Sequence, residues 1–276
     1  MIDAGTVSNH YRHGNLLEAI RQGLEKLGKT PETVTLHDLS AVDEFHIGGR
    51  QASAEFLDQL TFAPDQSLLD IGCGLGGSAR FVADRYGSHV TGIDLTEEYV
   101  ETGKALCGWL GLEERIFLQQ GSALNLPFGE AAFDGAYMMH VGMNIADKAT
   151  LCADVHRVLR PGAVFGIYDV MRFAEGELAY PVPWSTTPDH SFVASPQAYK
   201  EALIAAGFTI VAERNRRDFA LAFFARQRAR VEAEGRPPLS LHVVMGDNMA
   251  AKLTNLVAGI AAGMIAPVEI IARKAE

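Results

Sequence analysis

Residues 67–94 read SLLDIGCGLGGSARFVADRYGSHVTGID. The apolar run Leu68, Leu69 and Ile71 has the character of a buried strand. It meets the glycines Gly72, Gly74, Gly76 and Gly77. An amphipathic run follows, with Ala79, Phe81, Val82 and Tyr86 on one face, and a second apolar run from His89 to Ile93 ends on Asp94. The order strand, glycine turn, helix, strand is one βαβ unit. Such a turn lets backbone approach a ligand closely, and the helix start behind it carries partial positive charge. A carboxylate closing the second strand is placed to accept both hydroxyls of a ribose.

Gly72, Gly74 and Gly77 satisfy G-x-G-x-x-G, with an acid about 20 positions further on, as in dinucleotide binding. Asp70 opposes that reading. A carboxylate just before the first glycine would face a pyrophosphate with like charge, whereas it suits a ligand bearing an ammonium group. The run LLDIGCGLGG resembles the first motif of the class I S-adenosylmethionine-dependent methyltransferases. Three further segments resemble that family in the same order: Gly121–Phe128 (GSALNLPF), Phe133–His140 (FDGAYMMH) and His156–Ala163 (HRVLRPGA). The resemblance covers about residues 66–170. It implies that Asp70, Gly72, Gly74 and Gly76 border the methionine part of S-adenosylmethionine. It further implies that Asp94 holds the ribose, with Leu95 after it among the cofactor-binding residues, and that Gly121, Ser122 and Ala123 lie beside the adenine. The family usually carries an acid where Ser122 stands.

Charge and composition narrow the partners. With 24 basic and 34 acidic residues the formal charge is −10, which disfavours nucleic acid. Cys73, Cys107 and Cys152 have no metal-like spacing and read as reduced thiols of a cytoplasmic protein. The longest apolar run, Leu256 to Val268, is too short for a bilayer span and contains glycines and a proline. No membrane association or export is expected.

Along the chain, residues 1–63 read as a helical N-terminal cap. Its pieces are a helix over 15–27 capped by Asn15, a short helix over 36–40, a turn over 43–50 and a helix over 51–60. Residues 64–276 read as the core. Strands near 116–120, 133–139 and 163–170 alternate with helices over 97–110 and from Asp147. The expected fold is α/β: a doubly wound, Rossmann-like, seven-stranded and mostly parallel sheet with an antiparallel last strand. A helix from Ser195-Pro196 leads to a sixth strand over 208–213, and 264–272 suits the seventh. Between these, residues 214–262 form a helical insertion with helices from Asp218 and Asp247. Its Phe219, Phe223 and Phe224 offer spare aromatic surface, which makes a homodimer interface a candidate. Ligands of such sheets sit at the carboxyl ends of the strands, where Asp70, Asp94, Ser122 and His140 all fall.

Other candidates flank that edge. His140, by family resemblance near the transferred methyl group, either orients the acceptor or takes its proton; the plain alternative is a hydrogen-bonded histidine that only shapes the site. Asn144 is a turn residue or an acceptor contact. Tyr11 and His46 are candidates for a lid that excludes water. His10 and His13 read as surface polarity, and no metal signature is present.

The function expected is methyl transfer from S-adenosylmethionine to a small-molecule acceptor, an amine or other small polar metabolite, by direct displacement. The turn DEFHIGGR and the segment HVGMN resemble the sarcosine/dimethylglycine and quinone-biosynthesis types of methyltransferase. An NAD-dependent oxidoreductase and a non-catalytic cofactor-binding member of the fold are the alternatives.

Overall fold

The computed structural model describes Tyr11, residues 14–246 and residues 248–276. His10, His13 and Asp247 lie outside the described residues. Within residues 14–60, three helices precede the sheet: α1 (Leu16–Glu25), α2 (Leu36–Asp43) and α3 (Gly49–Leu57), the last followed by a 3-10 turn, Asp58–Leu60. The sheet elements then alternate as β1 (Ser67–Ile71), α4 (Gly77–Tyr86), β2 (His89–Asp94), α5 (Glu97–Trp109), β3 (Ile116–Gln120), β4 (Phe133–Met139), α6 (Lys148–Val158) and β5 (Leu159–Arg172). After α7 (Pro196–Ala205) and β6 (Phe208–Asn215), the helices α8 (Arg217–Glu234), α9 (His242–Met245) and α10 (Met249–Ala261) precede β7 (Ile265–Lys274).

The described strands form one seven-stranded sheet in the order β3-β2-β1-β4-β5-β7-β6. β1, β2, β3, β4 and β5 are mutually parallel, and β7 runs antiparallel to both β5 and β6. The chain steps outward from β1 to β3, then crosses back to β4. The strand order therefore reverses between β1 and β4, where their carboxyl ends leave a crevice. Leu69 pairs with Ala136 and Asp70 with Tyr137 across that seam.

One apolar cluster fills each side of the sheet, with Leu69, Met138, Phe165 and Ile270 in one and Leu68, Tyr137, Tyr168 and Ile271 in the other. A third cluster packs α1 and α2 on α5 through Leu16, Ile20, Val42 and Leu106, joined by Leu239 and Val244 from the segment around α9. A fourth packs α8 and α10 on the strand edges through Ala220, Leu256, Ile260 and Val170.

Several local expectations need correction. Asn15 makes no capping hydrogen bond; the first turn of α1 is instead tied by the Leu16 N–H donating to Glu98 of α5 at 3.1 Å. α2 extends to Asp43 behind a Thr35/Asp38 capping box. α3 begins at Gly49, because Gly48 takes φ +97° and restarts the chain. β5 is longer than the apolar run suggested, since β7 pairs with it from Val164 to Arg172. α9 lies within the stretch after Gly235–Pro238 and was not foreseen. Phe219, Phe223 and Phe224 are half-buried rather than spare. Phe219 lies under the Arg216 guanidinium at 4.0 Å, and the other two pack edge-on at 5.4 Å within the fourth cluster.

Candidate active site

The glycine turn is bolted to the end of β2. The N–H groups of Gly72 and Cys73 both donate to the Ile93 carbonyl, at 2.8 and 3.0 Å. Gly72 has φ +70°, and a Cβ there would meet Val141 Cγ2 at 2.3 Å, so the position is closed to any side chain. Gly74, at φ +53°, differs: a Cβ would meet nothing nearer than Tyr99 Cδ2 at 4.0 Å. Its open side faces a cavity of about 480 Å³. Gly76 does not line that cavity; it is the left-handed N-cap of α4.

Beneath the turn lies a buried ion pair that the sequence did not announce. Arg80 of α4 is wholly buried, donates to the Leu75 carbonyl at 2.8 Å and pairs with Asp43 of α2 at 2.6 Å. The backbone of Asp43 also crowds Gly77, where a Cβ would lie 2.4 Å from its carbonyl oxygen. The helices before the sheet are thus locked to the floor of the site. The only signal was an arginine among Ala79, Phe81 and Val82, on a stretch otherwise made for burial.

Two carboxylates flank the open glycine. Asp94 accepts the Gly74 N–H at 2.9 Å through one oxygen and the Thr96 N–H at 2.8 Å through the other. Burial raises its pKa, and those two hydrogen bonds pull against the rise. The carboxylate retains accepting capacity for a ligand hydroxyl. Asp70 is buried beside the Tyr137 hydroxyl; burial pushes its carboxyl up to about 8, and the hydrogen bond from Tyr137 only partly opposes that rise. A cation arriving beside such a buried carboxyl would favour the anion. Leu95, Gly121, Ser122 and Ala123 line the same cavity. Gly121 is held to small size by Ile93, whose Cδ1 would lie 2.5 Å from a Cβ. The Ser122 hydroxyl accepts the Leu124 N–H at 3.2 Å, so its proton remains to be donated.

Tyr11, His46, His140 and Asn144 line the same cavity. Asn144 donates to the Tyr11 hydroxyl at 3.3 Å. His140 follows β4 with φ +57°, a left-handed conformation uncommon for a residue with a side chain. Its Nδ1 lies 3.2 Å from the Tyr168 carbonyl, and its Nε2 lies 3.3 Å from the Ile47 N–H. A carbonyl only accepts and an amide N–H only donates, so the ring is the Nδ1–H tautomer with both nitrogens engaged. Burial and the neighbouring His46 lower its pKa to about 3. With both ring nitrogens engaged by backbone, the arrangement suits a histidine that shapes the site.

His46 is held differently. Its Nε2 lies 2.8 Å from Glu44, whose carboxylate also receives the Ser53 hydroxyl at 2.5 Å and pairs with Arg50 at 2.6 Å. Burial pushes Glu44 up, but the His46 and Ser53 hydrogen bonds and the charge of Arg50 outweigh it, leaving the carboxyl below its usual range. The carboxylate fixes the Nε2–H tautomer of His46. Nδ1 is buried and has no hydrogen-bond partner. Glu44 and Ser53 were not singled out from sequence; the acid two residues before the histidine was the available cue. Among the described residues no group of His, Cys, Asp and Glu is placed to hold a metal ion, and no helix is long and apolar enough to cross a membrane.

Comparison with known proteins agrees with this geometry. Residues 68–162 match a family model described as "Methyltransferase domain". An O-methyltransferase of Aspergillus sclerotiorum, resE, is 32% identical over 133 residues, 48% of this chain and 50% of that protein. A phosphoethanolamine N-methyltransferase of Haemonchus contortus, solved with S-adenosyl-L-methionine, superposes with a TM-score of 0.73 at 19% identity, over 93% of this chain and 60% of the other. A geranyl diphosphate C-methyltransferase of Streptomyces coelicolor A3(2) superposes at 0.67 with 19% identity, over 80% and 79% of the two chains. The sequence matches span half or less of the length of the first relatives, 50%, 27% and 49%.

Proposed function

We propose, from the premise that this chain carries a methyltransferase domain, that it transfers a methyl group from S-adenosylmethionine to a small-molecule acceptor by direct displacement. The observation that carries the reading is the open face of Gly74 between two carboxylates, Asp70 and Asp94, inside one cavity. When bound, S-adenosylmethionine supplies an electrophilic methyl carbon on a sulfonium. Asp70 would take the ammonium group of its amino-acid tail, and Gly74 would let that tail lie against bare backbone. Asp94 would accept the ribose hydroxyls, with Leu95 and Ala123 against the adenine and Ser122 at its edge.

In this reading the protein chiefly aligns and dries the reactants. Alignment of two bound partners is worth up to about 7–11 kcal/mol of barrier. Tyr11 and His46 would help close the cavity over the cofactor, and Asn144 holds Tyr11 in place. His140 is a positioning residue: its ring fastens Ile47, and with it the turn that carries His46. We read residues 1–63 as a cap, 64–276 as the catalytic core and 214–262 as an insertion that shapes the acceptor side. A cytoplasmic setting, where the buried thiols of Cys73, Cys107 and Cys152 stay reduced, belongs to the same reading.

Thermal unfolding with added ligands tests it. S-adenosylmethionine at about 100 times its dissociation constant stabilises by about 2.7 kcal/mol, an upward shift of a few degrees. A shift with NAD and none with S-adenosylmethionine would overturn the proposal.

A further inference from the structure

A second, smaller chamber of about 70 Å³ adjoins the first. The two share Tyr11, Phe45, His46 and His140 in their linings. The far walls of the second come from the loop before α7 and from α8, α9 and α10, through Trp184, Phe223, Phe224, Met245 and Leu253. None of its described lining residues is a carboxylate, lysine or arginine. The Trp184 indole N–H is already used, donating to Ser191 at 2.9 Å, so the ring can offer only its apolar surface. Methionines adapt to a guest of irregular shape, and Met143 and Met245 both line the space. Such a chamber suits an uncharged apolar body and gives an ammonium group no counter-charge.

Polar chemistry is confined to the junction. There His140 has both ring nitrogens committed to backbone, whereas His46 has only Nε2 committed. The charged and titratable groups around His46 are Glu44 on its own turn, Arg50 on α3, His140 after β4 and Tyr168 on β5. Glu44 alone bonds the ring directly as an acid. A buried carboxylate that fixes one nitrogen of an imidazole stabilises the imidazolium formed when the other takes a proton.

We propose that the second chamber is the acceptor subsite for an apolar compound bearing a weakly acidic hydroxyl, and that His46, oriented by Glu44, is the general base that receives its proton at Nδ1. This rests on the methyl-transfer reading above. The acceptor oxygen forms a bond to the methyl carbon. The carbon–sulfur bond breaks with its electron pair remaining on sulfur, which becomes a neutral thioether. The hydroxyl proton passes to His46 Nδ1, and the imidazolium is held against Glu44 until the proton leaves to water.

The test uses para-nitrophenol, whose neutral and anionic forms differ in colour, added to the full-length protein saturated with S-adenosylhomocysteine. The expected result is binding, with the bound phenol ionised at a pH where the free phenol is neutral. His46→Gln should bind it in the neutral form. Leu253→Trp should weaken its binding by more than about tenfold, by filling the chamber. Leu253→Trp should keep the wild-type affinity for S-adenosylhomocysteine, and both variants should keep the wild-type circular dichroism and a cooperative thermal transition, which shows that they fold. The subsite is wrong if the loaded protein does not bind the phenol, or if Leu253→Trp binds it as well as wild type. The base is wrong if His46→Gln ionises it as fully as wild type. Failure of wild type to bind S-adenosylhomocysteine would instead strike the parent reading.

Discussion

The Gly74 N–H donates to Asp94 at 2.9 Å, so the glycine turn after β1 and the carboxylate ending β2 are one piece. The same carboxylate holds the Thr96 N–H at the start of α5. Asp94 is therefore both the clasp of the crevice and its candidate ribose acceptor.

Asp94→Asn should uncouple those roles. An amide has one accepting oxygen, so either the Gly74 or the Thr96 N–H loses its partner. Hydrogen bonds to charged groups are worth about 1.5–3 kcal/mol, so affinity for S-adenosylhomocysteine should fall about ten- to a hundredfold by calorimetry.

Asp70 should make ligand binding pH-dependent. Its carboxyl, raised to about 8 chiefly by burial, is mostly protonated in the free protein at neutral pH. A bound ammonium favours the anion, so binding releases a proton, and affinity rises from about pH 6 until the ligand's own amino group begins to deprotonate near 7.7–8.0. The sign for stability runs the other way. A folded-state pKa raised from 3.8 gives stability that is complete below 3.8 and is lost as pH rises through about 8. Asp70→Asn should abolish both the proton release, seen by calorimetry in buffers of different ionisation enthalpy, and its share of the alkaline loss of stability.

Arg80 and Asp43 should be expensive to separate. Removing one partner of a buried pair costs about 3–5 kcal/mol, because the other charge is stranded. Arg80→Met should lose that much in urea unfolding, and Arg80→Met combined with Asp43→Leu should be more stable than either single variant. Since Asp43 also crowds Gly77, the single variant should weaken cofactor binding as well.

His140→Asn should preserve the left-handed backbone, which asparagine tolerates better than most residues. If the ring only positions Ile47, the variant changes kcat without moving the acid limb of the pH profile. Its lowered pKa gives stability that is full above the ordinary histidine value of 6.5 and is lost as pH falls toward about 3. The variant should lose less stability over that window, as followed by circular dichroism.

The convergence of Asp70, Gly74 and Asp94 on one cavity was legible because these parts are local. Asp70, the glycines and Asp94 lie on consecutive elements whose periodicity and turn chemistry can be read directly, and Ser122 follows the neighbouring strand. The acceptor side was not. The partner of His140 Nε2 is the Ile47 N–H, 93 residues earlier in the chain. The different states of His46 and His140 depend on which backbone and carboxylate groups meet each ring, and spacing does not encode that. The second chamber needs the loop carrying Trp184 and the helices α8, α9 and α10 to converge, and apolar helical faces do not announce what they face. Asn15 shows the same limit on a small scale. Its residue type suits a cap, yet Glu98 from α5 ties the start of α1.

Diffraction from crystals grown with S-adenosylhomocysteine tests the central claim most directly. The account predicts density with the amino-acid tail against Gly74, its ammonium near Asp70 and both ribose hydroxyls on Asp94. Ligand density elsewhere, or a crevice that stays closed at saturating ligand, would contradict it.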